Sequence, residues 1–160
     1  MTVLLMTRRN VGLIALSYLV AKGYDCKVIS DDKDVLWLAE NLGQKIVDED
    51  DAGEWGYLIS CHWHKIIDEK YLKEGKCVNI HPCLTELNYK GVNPVKRYIH
   101  NKNKEATIDA HFMTNVPDEG EVIATIKFKT GKVATYASFY NQAFKHYFYL
   151  LEKIMEVLNK

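Results

Sequence analysis

The sequence predicts a single α/β domain built on a Rossmann-like, doubly wound and mostly parallel sheet. Through the first half of the chain, short apolar runs typical of buried strands alternate with helix-like segments, a pattern that favours parallel strands joined by crossover helices. After Pro82 the pattern changes to two long runs of alternating character and one amphipathic segment. These last elements predict an added antiparallel strand pair and a C-terminal helix.

Each predicted element of the first half has a local signal. The first helix closes at Gly23 and the second at Gly43, the residue type that most often ends helices. The acidic residues 48–51 are expected to form a turn. The strand candidates are residues 3–6, 25–30, 44–47, 57–61 and 77–80, and the helix candidates are residues 11–22 and 33–41, with room for one short helix in residues 66–74.

The second half contains fewer and longer elements. A polar loop precedes a helix over residues 94–101, and the turn-rich residues 115–120 join strand candidates at 106–114 and 121–129. In residues 133–158, apolar side chains recur at three- and four-residue spacings, which predicts one long amphipathic helix. Several aromatic side chains fall outside that stripe. They indicate either a homodimer interface or scattered exposed tyrosines around an ordinary core stripe.

Composition and the N-terminal residues bound the class of protein. The 160 residues, 48% of them hydrophobic, suffice for one core and one cleft, so we expect residues 1–160 to form one domain. Lys and Arg total 21, as do Asp and Glu, so the chain lacks the basic excess typical of nucleic-acid binding. The apolar start precedes Arg8 and Arg9, the reverse of a signal peptide, and no window reaches a membrane span. With four irregularly spaced cysteines, expected to be reduced, these features predict a cytoplasmic protein with no nucleic-acid or membrane partner.

Polar side chains end one of the predicted strands. In doubly wound sheets ligands bind at the carboxyl ends of strands, so the residues just past each apolar run are informative. Asn79 and His81 lie two residues apart and point to the same side of an extended segment, and Pro82 then ends the ladder. A strand-end cap and an ordinary surface histidine are the commoner explanation of an isolated Asn-x-His. The pair therefore needs further motifs before it indicates a function.

The Cys-His-Trp-His run at residues 61–64 raises the question of a metal site. Thiolate and imidazole are zinc ligands, but adjacent side chains of an extended segment point to opposite sides. No paired Cys-x-x-Cys spacing accompanies the run. No metal site is predicted.

Three linked motifs occur in order along the second half of the chain. They are Asn-Ile-His-Pro at 79–82, which opens a loop ending in Lys90-Gly91, His-Phe-Met-Thr at 111–114, and Asp118 before Gly120 and the apolar pair at 122–123. Together they resemble the formyltetrahydrofolate-dependent formyltransferase family, which includes glycinamide ribonucleotide formyltransferase, methionyl-tRNA formyltransferase and the sugar N-formyltransferases. The resemblance extends more weakly over residues 3–128 and implies the formyltransferase fold. The chain departs from the family at residues 83–88, where the loop is slightly longer and has no proline.

The resemblance implies that Asn79, His81 and Asp118 are the catalytic residues and that N10-formyltetrahydrofolate is the co-substrate. When an amine attacks the formyl carbon, the carbonyl oxygen becomes an oxyanion, which an Asn amide and an imidazole N–H stabilise. A carboxylate beside the imidazole favours its protonated form and accepts the proton lost by the amine, directly or through water. Taken alone, Asp118 is an ordinary turn residue after Pro117.

The resemblance also implies binding residues on the folate side. Residues 57–67 resemble the strand and loop that line the pterin pocket of the family. The candidate cofactor-binding residues are then Trp63, Ile66, Ile67 and Asp118. Packing in the core explains Trp63 equally well.

Four residues are candidate contacts of the acceptor. Arg8 and Arg9 come between the first strand and the first helix, where dinucleotide-binding proteins place a glycine-rich phosphate loop, although the sequence has no G-x-G-x-x-G. Arginines at a helix N-terminus can hold a phosphate, but solvent-exposed arginines are commoner. The resemblance places Tyr89 and Lys90, at the end of the loop, near the acceptor or the cofactor tail.

Several acceptors fit the motifs. Methionyl-tRNA formyltransferase has an additional C-terminal domain and a basic surface that we do not expect here. The tyrosine-rich C-terminal segment and short N-terminal half are similar to the sugar N-formyltransferases, which implies an amino sugar on a nucleoside diphosphate as acceptor. Alternatives are glycinamide ribonucleotide formyltransferase, a formyltetrahydrofolate hydrolase and a non-catalytic ligand-binding relative. A Rossmann-type oxidoreductase is disfavoured by the missing glycine fingerprint.

Overall fold

The fold is a sheet with helices packed on it. The computed structural model describes residues 1–73, 76–85 and 87–160. The elements in chain order are β1 (Thr2–Thr7), α1 (Arg9–Ala21), β2 (Asp25–Ile29), α2 (Lys33–Asn41), β3 (Lys45–Ile46), β4 (Tyr57–Cys61), a 3₁₀ turn (Glu69–Tyr71), β5 (Cys77–Pro82), α3 (Pro94–His100), β6 (Glu105–Phe112), β7 (Val122–Lys129) and α4 (Tyr136–Leu158).

The sheet has seven strands in the order β3-β2-β1-β4-β5-β6-β7. The strands from β3 to β5 are parallel, whereas β6 runs antiparallel to β5 and β7 antiparallel to β6. The predicted fold class, a mostly parallel doubly wound sheet with an antiparallel pair and a C-terminal helix, is confirmed. Because β1 lies between β2 and β4, the chain changes direction across the sheet at β1. The carboxyl ends of β1, β4 and β5 share one edge, the edge at which such sheets bind ligands.

The two faces of the sheet are covered differently. One face packs against α1 and α4, and the apolar stripe of α4 is buried there. The opposite face carries a smaller apolar cluster that includes Leu4 and Leu58. β5 contributes Cys77 to this second face and then, at every second residue, Asn79 and His81. The polar pair therefore continues a buried apolar surface.

The ends of several elements differ from the sequence prediction, and local hydrogen bonds explain one of them. α4 begins at Tyr136, because the Thr135 hydroxyl accepts from the Ser138 amide at 3.1 Å and the Ser138 hydroxyl accepts from the Thr135 amide at 3.0 Å. This reciprocal capping box fixes the first turn. The short helix predicted in residues 66–74 is a single 3₁₀ turn, and residue 74 lies outside the described part of the chain.

The aromatic side chains of α4 are divided between buried and exposed positions. In α4, Phe139 and Tyr147 are buried, whereas Phe148 and Tyr149 are 44% and 64% exposed. This division is compatible with both interpretations of the aromatic residues, so the homodimer stays a prediction.

Across the described residues, none of the helices combines the length and the apolar character that crossing a membrane requires.

Gly120 lies in the turn between β6 and β7, with its Cα close to the backbone of Phe112. A Cβ atom built on Gly120 would lie 1.7 Å from the carbonyl oxygen of Phe112. The same turn returns to the sheet through a hydrogen bond from the Phe112 amide to the Glu121 carbonyl at 2.9 Å. Any side chain at this position must displace the backbone.

We expect Gly120→Ala to lower the free energy of unfolding by roughly 1–3 kcal/mol, the usual cost of forced overpacking. Urea unfolding followed by circular dichroism measures this change. Gly131→Ala is the matched control, because its Cβ would meet nothing closer than 3.6 Å. Equal stability of the two variants would contradict the close approach.

Candidate active site

The pairing of β5 with β6 assembles a polar cluster on the second face of the sheet. In the antiparallel register, Asn79 lies opposite His111 and His81 lies opposite Asp109. Side chains of directly opposed residues project to the same face. Two residues from each strand therefore meet near the carboxyl end of β5, and the turn after β6 adds Asp118.

His81 is enclosed by hydrogen-bond acceptors. Its Nδ1 atom lies 2.9 Å from the carbonyl oxygen of Pro82, and its Nε2 atom lies 3.2 Å from the carbonyl oxygen of Gly91 and 3.4 Å from Asp118 Oδ2. The two carbonyl oxygens can only accept hydrogen bonds, and the carboxylate of Asp118 can only accept them when it is ionised. Both ring nitrogens of His81 therefore face hydrogen-bond acceptors.

His111 links the amide of Asn79 to the carboxylate of Asp118. Its Nδ1 atom donates to the carbonyl oxygen of Phe112 at 3.0 Å. Its Nε2 atom lies 3.2 Å from Asn79 Nδ2 and 3.5 Å from Asp118 Oδ1. A neutral ring accepts from the amide of Asn79, and a protonated ring donates to the carboxylate instead. His111 is 1% exposed, so water does not compete for this nitrogen.

Asp118 is held ionised by its surroundings. Burial alone would raise the pKa of this carboxyl, but the contact with His111, the charge of His81 and the Gly91 amide together lower the pKa to about 2. The Gly91 amide donates to Asp118 Oδ2 at 2.7 Å. Asp118 itself has a φ of +59°, a left-handed conformation that Asp tolerates better than most residues. The turn geometry therefore aims the carboxylate between the two imidazoles.

The structure brings together the three residues for which the sequence predicts catalytic roles, and His111 is a fourth member of their cluster. Asn79, His81 and Asp118 meet around His111, which the sequence analysis uses only as part of a motif. The alternating pattern of the strand that carries His111 was visible in the sequence. Its cross-strand register with Asn79 was not, because register depends on which strands pair.

The residues predicted to contact folate lie near the loop that follows β4. Trp63 and Ile67 are half-buried against the second apolar cluster, as is Met113, whereas Ile66 is 85% exposed. The indole Nε1 of Trp63 is buried and has no hydrogen-bond partner among the residues that the structure describes. Their contact with folate stays a prediction.

A separate cavity of about 280 Å³ opens at the start of α1. His62 forms part of its wall with a φ of +61°, and its ring contacts Tyr140 in a tilted arrangement, with ring centroids 5.2 Å apart. Burial, and then the charges of Arg9 and Arg8, lower the pKa of His62 to about 4, so its ring is neutral near pH 7. The cavity is lined by Arg9, Asn10, Val11, Leu13, Asp32, Asp34, His62, Tyr136, Ala137, Tyr140, Asn141 and Phe144.

The four predicted acceptor contacts occupy two places. Arg9 lines the cavity, and Arg8 beside it forms an ion pair with Asp31 at 3.3 Å. Tyr89 and Lys90 precede Gly91 instead, where the Lys90 ammonium lies 2.6 Å from Glu119 Oε1. Lys90 is thereby tied to the turn that carries Asp118. Among the described residues, no group of three or more His, Cys, Asp or Glu side chains is arranged to hold a metal ion.

The chain matches a known protein family over most of its length. The family model described as "Formyl transferase" matches residues 17–147, which is most of the chain. A search of curated protein sequences finds no significant match.

The solved structures that share the fold include three formyltransferases. The sugar 3N-formyl transferase WlaRD, solved with dTDP and 5-N-formyl-THF, has 21% identity and a TM-score of 0.81 over 99% of this chain and 63% of its own. An N-formyltransferase from Helicobacter canadensis, solved with folinic acid and dTDP-3-aminofucose, has 22% identity and a TM-score of 0.82 over 99% and 64%. The phosphoribosylglycinamide formyltransferase from Bacillus halodurans has 13% identity and a TM-score of 0.82 over 100% and 96%. The chain thus spans less than two thirds of the two sugar enzymes.

The lowered pKa of Asp118 predicts a pH-dependent contribution to stability. An unfolded aspartate titrates near pH ~3.9, whereas Asp118 in the folded chain titrates near 2. Its stabilising contribution is therefore complete above about pH 4 and is lost as the pH falls through 2. We expect Asp118→Asn to lower the free energy of unfolding near neutral pH by on the order of 1–2 kcal/mol, with solvent screening allowed for.

Urea unfolding of both proteins across this pH range measures the difference, which should shrink between pH 4 and pH 2. The control is Asp50→Asn, because Asp50 is fully exposed and its distance to Lys70 is 3.7 Å. A difference between wild type and Asp118→Asn that stays constant over the whole range would contradict the assignment.

Proposed function

Since the chain belongs to the formyl transferase family, we propose that it transfers a formyl group from N10-formyltetrahydrofolate to a primary amine. The observation that carries the proposal is the cluster of Asn79, His81, His111 and Asp118, joined by contacts of 3.2–3.5 Å at the ligand-binding edge of the sheet. An amide donor, a protonated imidazole and an ionised carboxylate are the groups that acyl transfer to an amine requires.

Asn79 and His81 stabilise the oxyanion. As the amine nitrogen bonds to the formyl carbon, the carbonyl electrons move to oxygen. The Asn79 amide has two N–H groups; one contacts His111, and the other remains to donate to this oxygen. His81 contributes the positive charge, and its Nε2–H need only turn from the Gly91 carbonyl. Donors fixed before the reaction lower the barrier without reorganisation.

Asp118 handles the proton. The attacking amine becomes an ammonium, and a carboxylate with a pKa near 2 accepts its proton only transiently. The proton then passes, directly or through water, to the folate nitrogen as its bond to the formyl carbon breaks. Formyl amide and tetrahydrofolate are the products, so the charges and protons balance.

The folate side of the cluster supports an aromatic co-substrate. Trp63, Ile67 and Met113 provide an apolar wall on the face that carries Asn79 and His81. The unpartnered indole N–H of Trp63 offers one donor to a heteroatom. These groups fit a flat, heteroatom-rich ring, the shape of a pterin. We infer that they form the folate-binding wall, with Asp118 at its inner end.

The cavity at the start of α1 supports a nucleotide-linked amino sugar as the acceptor. Arg9 and the N-terminus of α1 suit phosphate oxygens, because a guanidinium and the positive end of a helix favour anions. The Arg9 amide itself donates to Asp32 Oδ2 at 3.0 Å. Tyr140 and Phe144 stack at 5.9 Å on the other wall and suit a sugar or base ring. The complexes of the two sugar enzymes with dTDP and with dTDP-3-aminofucose agree with this acceptor class.

Phosphoribosylglycinamide is the second candidate acceptor. The Bacillus halodurans enzyme named for it is matched over 96% of its length, and a phosphate on Arg9 suits this acceptor too. Assays with both acceptors decide between them.

The test is to incubate the purified chain with 10-formyltetrahydrofolate and, separately, dTDP-3-aminofucose, phosphoribosylglycinamide or buffer alone. We expect tetrahydrofolate and a formylated amino sugar, detected by mass. Formylated phosphoribosylglycinamide would move the assignment to the second acceptor, and formate in buffer alone would indicate hydrolysis. Absence of turnover in every mixture would overturn the enzymatic proposal.

Replacing a member of the cluster should abolish most turnover with the fold intact. We expect Asn79→Ala and His81→Ala each to lower kcat by about 10²–10³-fold, because each removes a preorganised oxyanion donor. His100→Ala is the matched control, since His100 is an exposed histidine on α3. Steady-state kinetics measure the loss and circular dichroism confirms folding. Turnover within a factor of two of wild type in either cluster variant would exclude the assigned role.

Arg9→Ala should weaken the acceptor more than the chemistry. Losing one charge-assisted hydrogen bond to phosphate corresponds to about tenfold or more in the KM for the nucleotide sugar, with a smaller change in kcat. Lys132→Ala, another exposed cation, is the control. An unchanged KM would place the phosphate elsewhere.

A further inference from the structure

Asp109 is a charged side chain with no exposed surface, on the strand beside the cluster. It lies on β6, is 0% exposed and accepts five hydrogen bonds. Oδ2 accepts from Leu84 N at 2.9 Å, Thr85 N at 3.2 Å and Thr107 Oγ1 at 2.6 Å, and Oδ1 accepts from Thr85 Oγ1 at 2.7 Å and Thr125 Oγ1 at 2.8 Å. A buried carboxylate is costly unless its oxygens are satisfied in this way.

The donors join the loop after β5 to the sheet. Three of the five hydrogen bonds come from Leu84 and Thr85, at the start of that loop. The other two come from Thr107 on β6 and Thr125 on β7. Each neighbour is a donor, so the group is not arranged to bind a cation. Its effect is to hold the first loop residues against the strand that carries His111.

The far end of the same loop reaches the catalytic groups. The carbonyl oxygen of Gly91 contacts His81 at 3.2 Å, and the amide of Gly91 donates to Asp118 at 2.7 Å. Asp109 also lies directly opposite His81 in the strand register. The loop is thus fixed at its start by one carboxylate and at its end by another.

The loop sequence itself provides little rigidity. Residues 83–91 contain no proline, and Cys83 and Asn88 both have positive φ, a conformation that is unfavourable without support. Tertiary hydrogen bonds must supply the order that a proline would otherwise give.

We propose that Asp109 is a positioning residue, whose carboxylate anchors the loop at Leu84 and Thr85 so that Gly91 is held against His81 and Asp118. The proposal rests on the proposed function for its effect on turnover, but its structural part does not. Asp109 touches no reacting atom and acts through the loop.

Substitutions of Asp109 distinguish the anchoring role from an effect of its charge and from a general effect of the polar network. They do so because the groups that donate to Asp109 differ in whether they can also accept a hydrogen bond. Backbone amides only donate, whereas threonine hydroxyls can rotate to accept. Asp109→Asn therefore retains an oxygen for the amides of Leu84 and Thr85 and turns its NH₂ group toward the hydroxyls of Thr85 and Thr125. Asp109→Ala removes every acceptor. The Asp109→Asn variant therefore loses the charge but retains the hydrogen bonds to the loop, whereas the Asp109→Ala variant loses both.

The experiment measures residue-resolved amide hydrogen exchange and steady-state kinetics on the full chain, with 10-formyltetrahydrofolate and the acceptor that the wild type uses. In Asp109→Ala, we expect exchange at Leu84, Thr85 and Gly91 to accelerate about tenfold or more, since each amide loses or weakens a hydrogen bond. We expect kcat to fall about 10²-fold, with KM for the acceptor nearly unchanged, because small displacements of catalytic groups are costly. Asp109→Asn should restore both to within a few-fold of wild type.

Thr125→Val is the matched control, because it removes a hydrogen bond from Asp109 on the sheet side and leaves the loop anchors in place. It should change neither Gly91 exchange nor kcat. Thr85→Val removes the loop-side hydroxyl and should accelerate exchange at Gly91. If Asp109→Ala does not fold, the comparison of these two threonine variants decides the question.

Three results would overturn the proposal. Unchanged Gly91 exchange in Asp109→Ala would show that the loop does not depend on this carboxylate. Equal loss in Asn and Ala variants would assign the effect to charge, and equal effects of Thr85→Val and Thr125→Val would assign it to the polar network in general. If the wild type transfers no formyl group, the proposed function fails, but the exchange data still test the anchor.

Discussion

The antiparallel pairing of β5 with β6 is the constraint on which the candidate active site depends. It places His111 opposite Asn79 and Asp109 opposite His81, so that two polar residues from each strand share one face. The register shifts between Ala110 and His111 where β6 meets β7, a local irregularity of the kind found beside functional sites. A slip of β6 by one residue would turn His111 and Asp109 away from Asn79 and His81 to the opposite face, where the buried core would exclude them. The apolar core on that face thus indirectly holds the polar site in register.

Two carboxylates beside this pairing have different surroundings and different proposed roles. Asp109 is enclosed by five donors from backbone and threonine groups, which fix the position of a loop. Asp118 lies between two imidazoles and one amide, and its contacts with the imidazoles support the catalytic role proposed for it. The loop after β5 connects the two, because it begins with the donors to Asp109 and ends at Gly91, whose amide and carbonyl contact Asp118 and His81. Residues far apart in sequence therefore depend on the path of one short loop.

The proposed folate-binding residues and the proposed acceptor-binding residues lie in two different places. Trp63 and Ile67 belong to the smaller apolar cluster on the face that carries Asn79, whereas Arg9 and Tyr140 line a cavity at the start of α1. The carboxyl ends of β1, β4 and β5 bring the two sides to a common edge. Under the proposed function, the chemistry of the cluster is the same for every amine acceptor, and the choice of acceptor lies with the cavity and the loops around it.

The sequence by itself determined the fold class, the order of the elements and the identity of Asn79, His81 and Asp118 as a linked set, because periodicity and motif order are local properties of a chain. It also located the amphipathic stripe of α4, although the capping box at Thr135 decided where the helix begins. Only the tertiary structure brought His111 to Asn79 and gave Asp109 its five donors, since cross-strand register and loop path depend on pairings between distant segments. The sequence contained both residues in plain view, but an alternating strand does not reveal which neighbour it will meet.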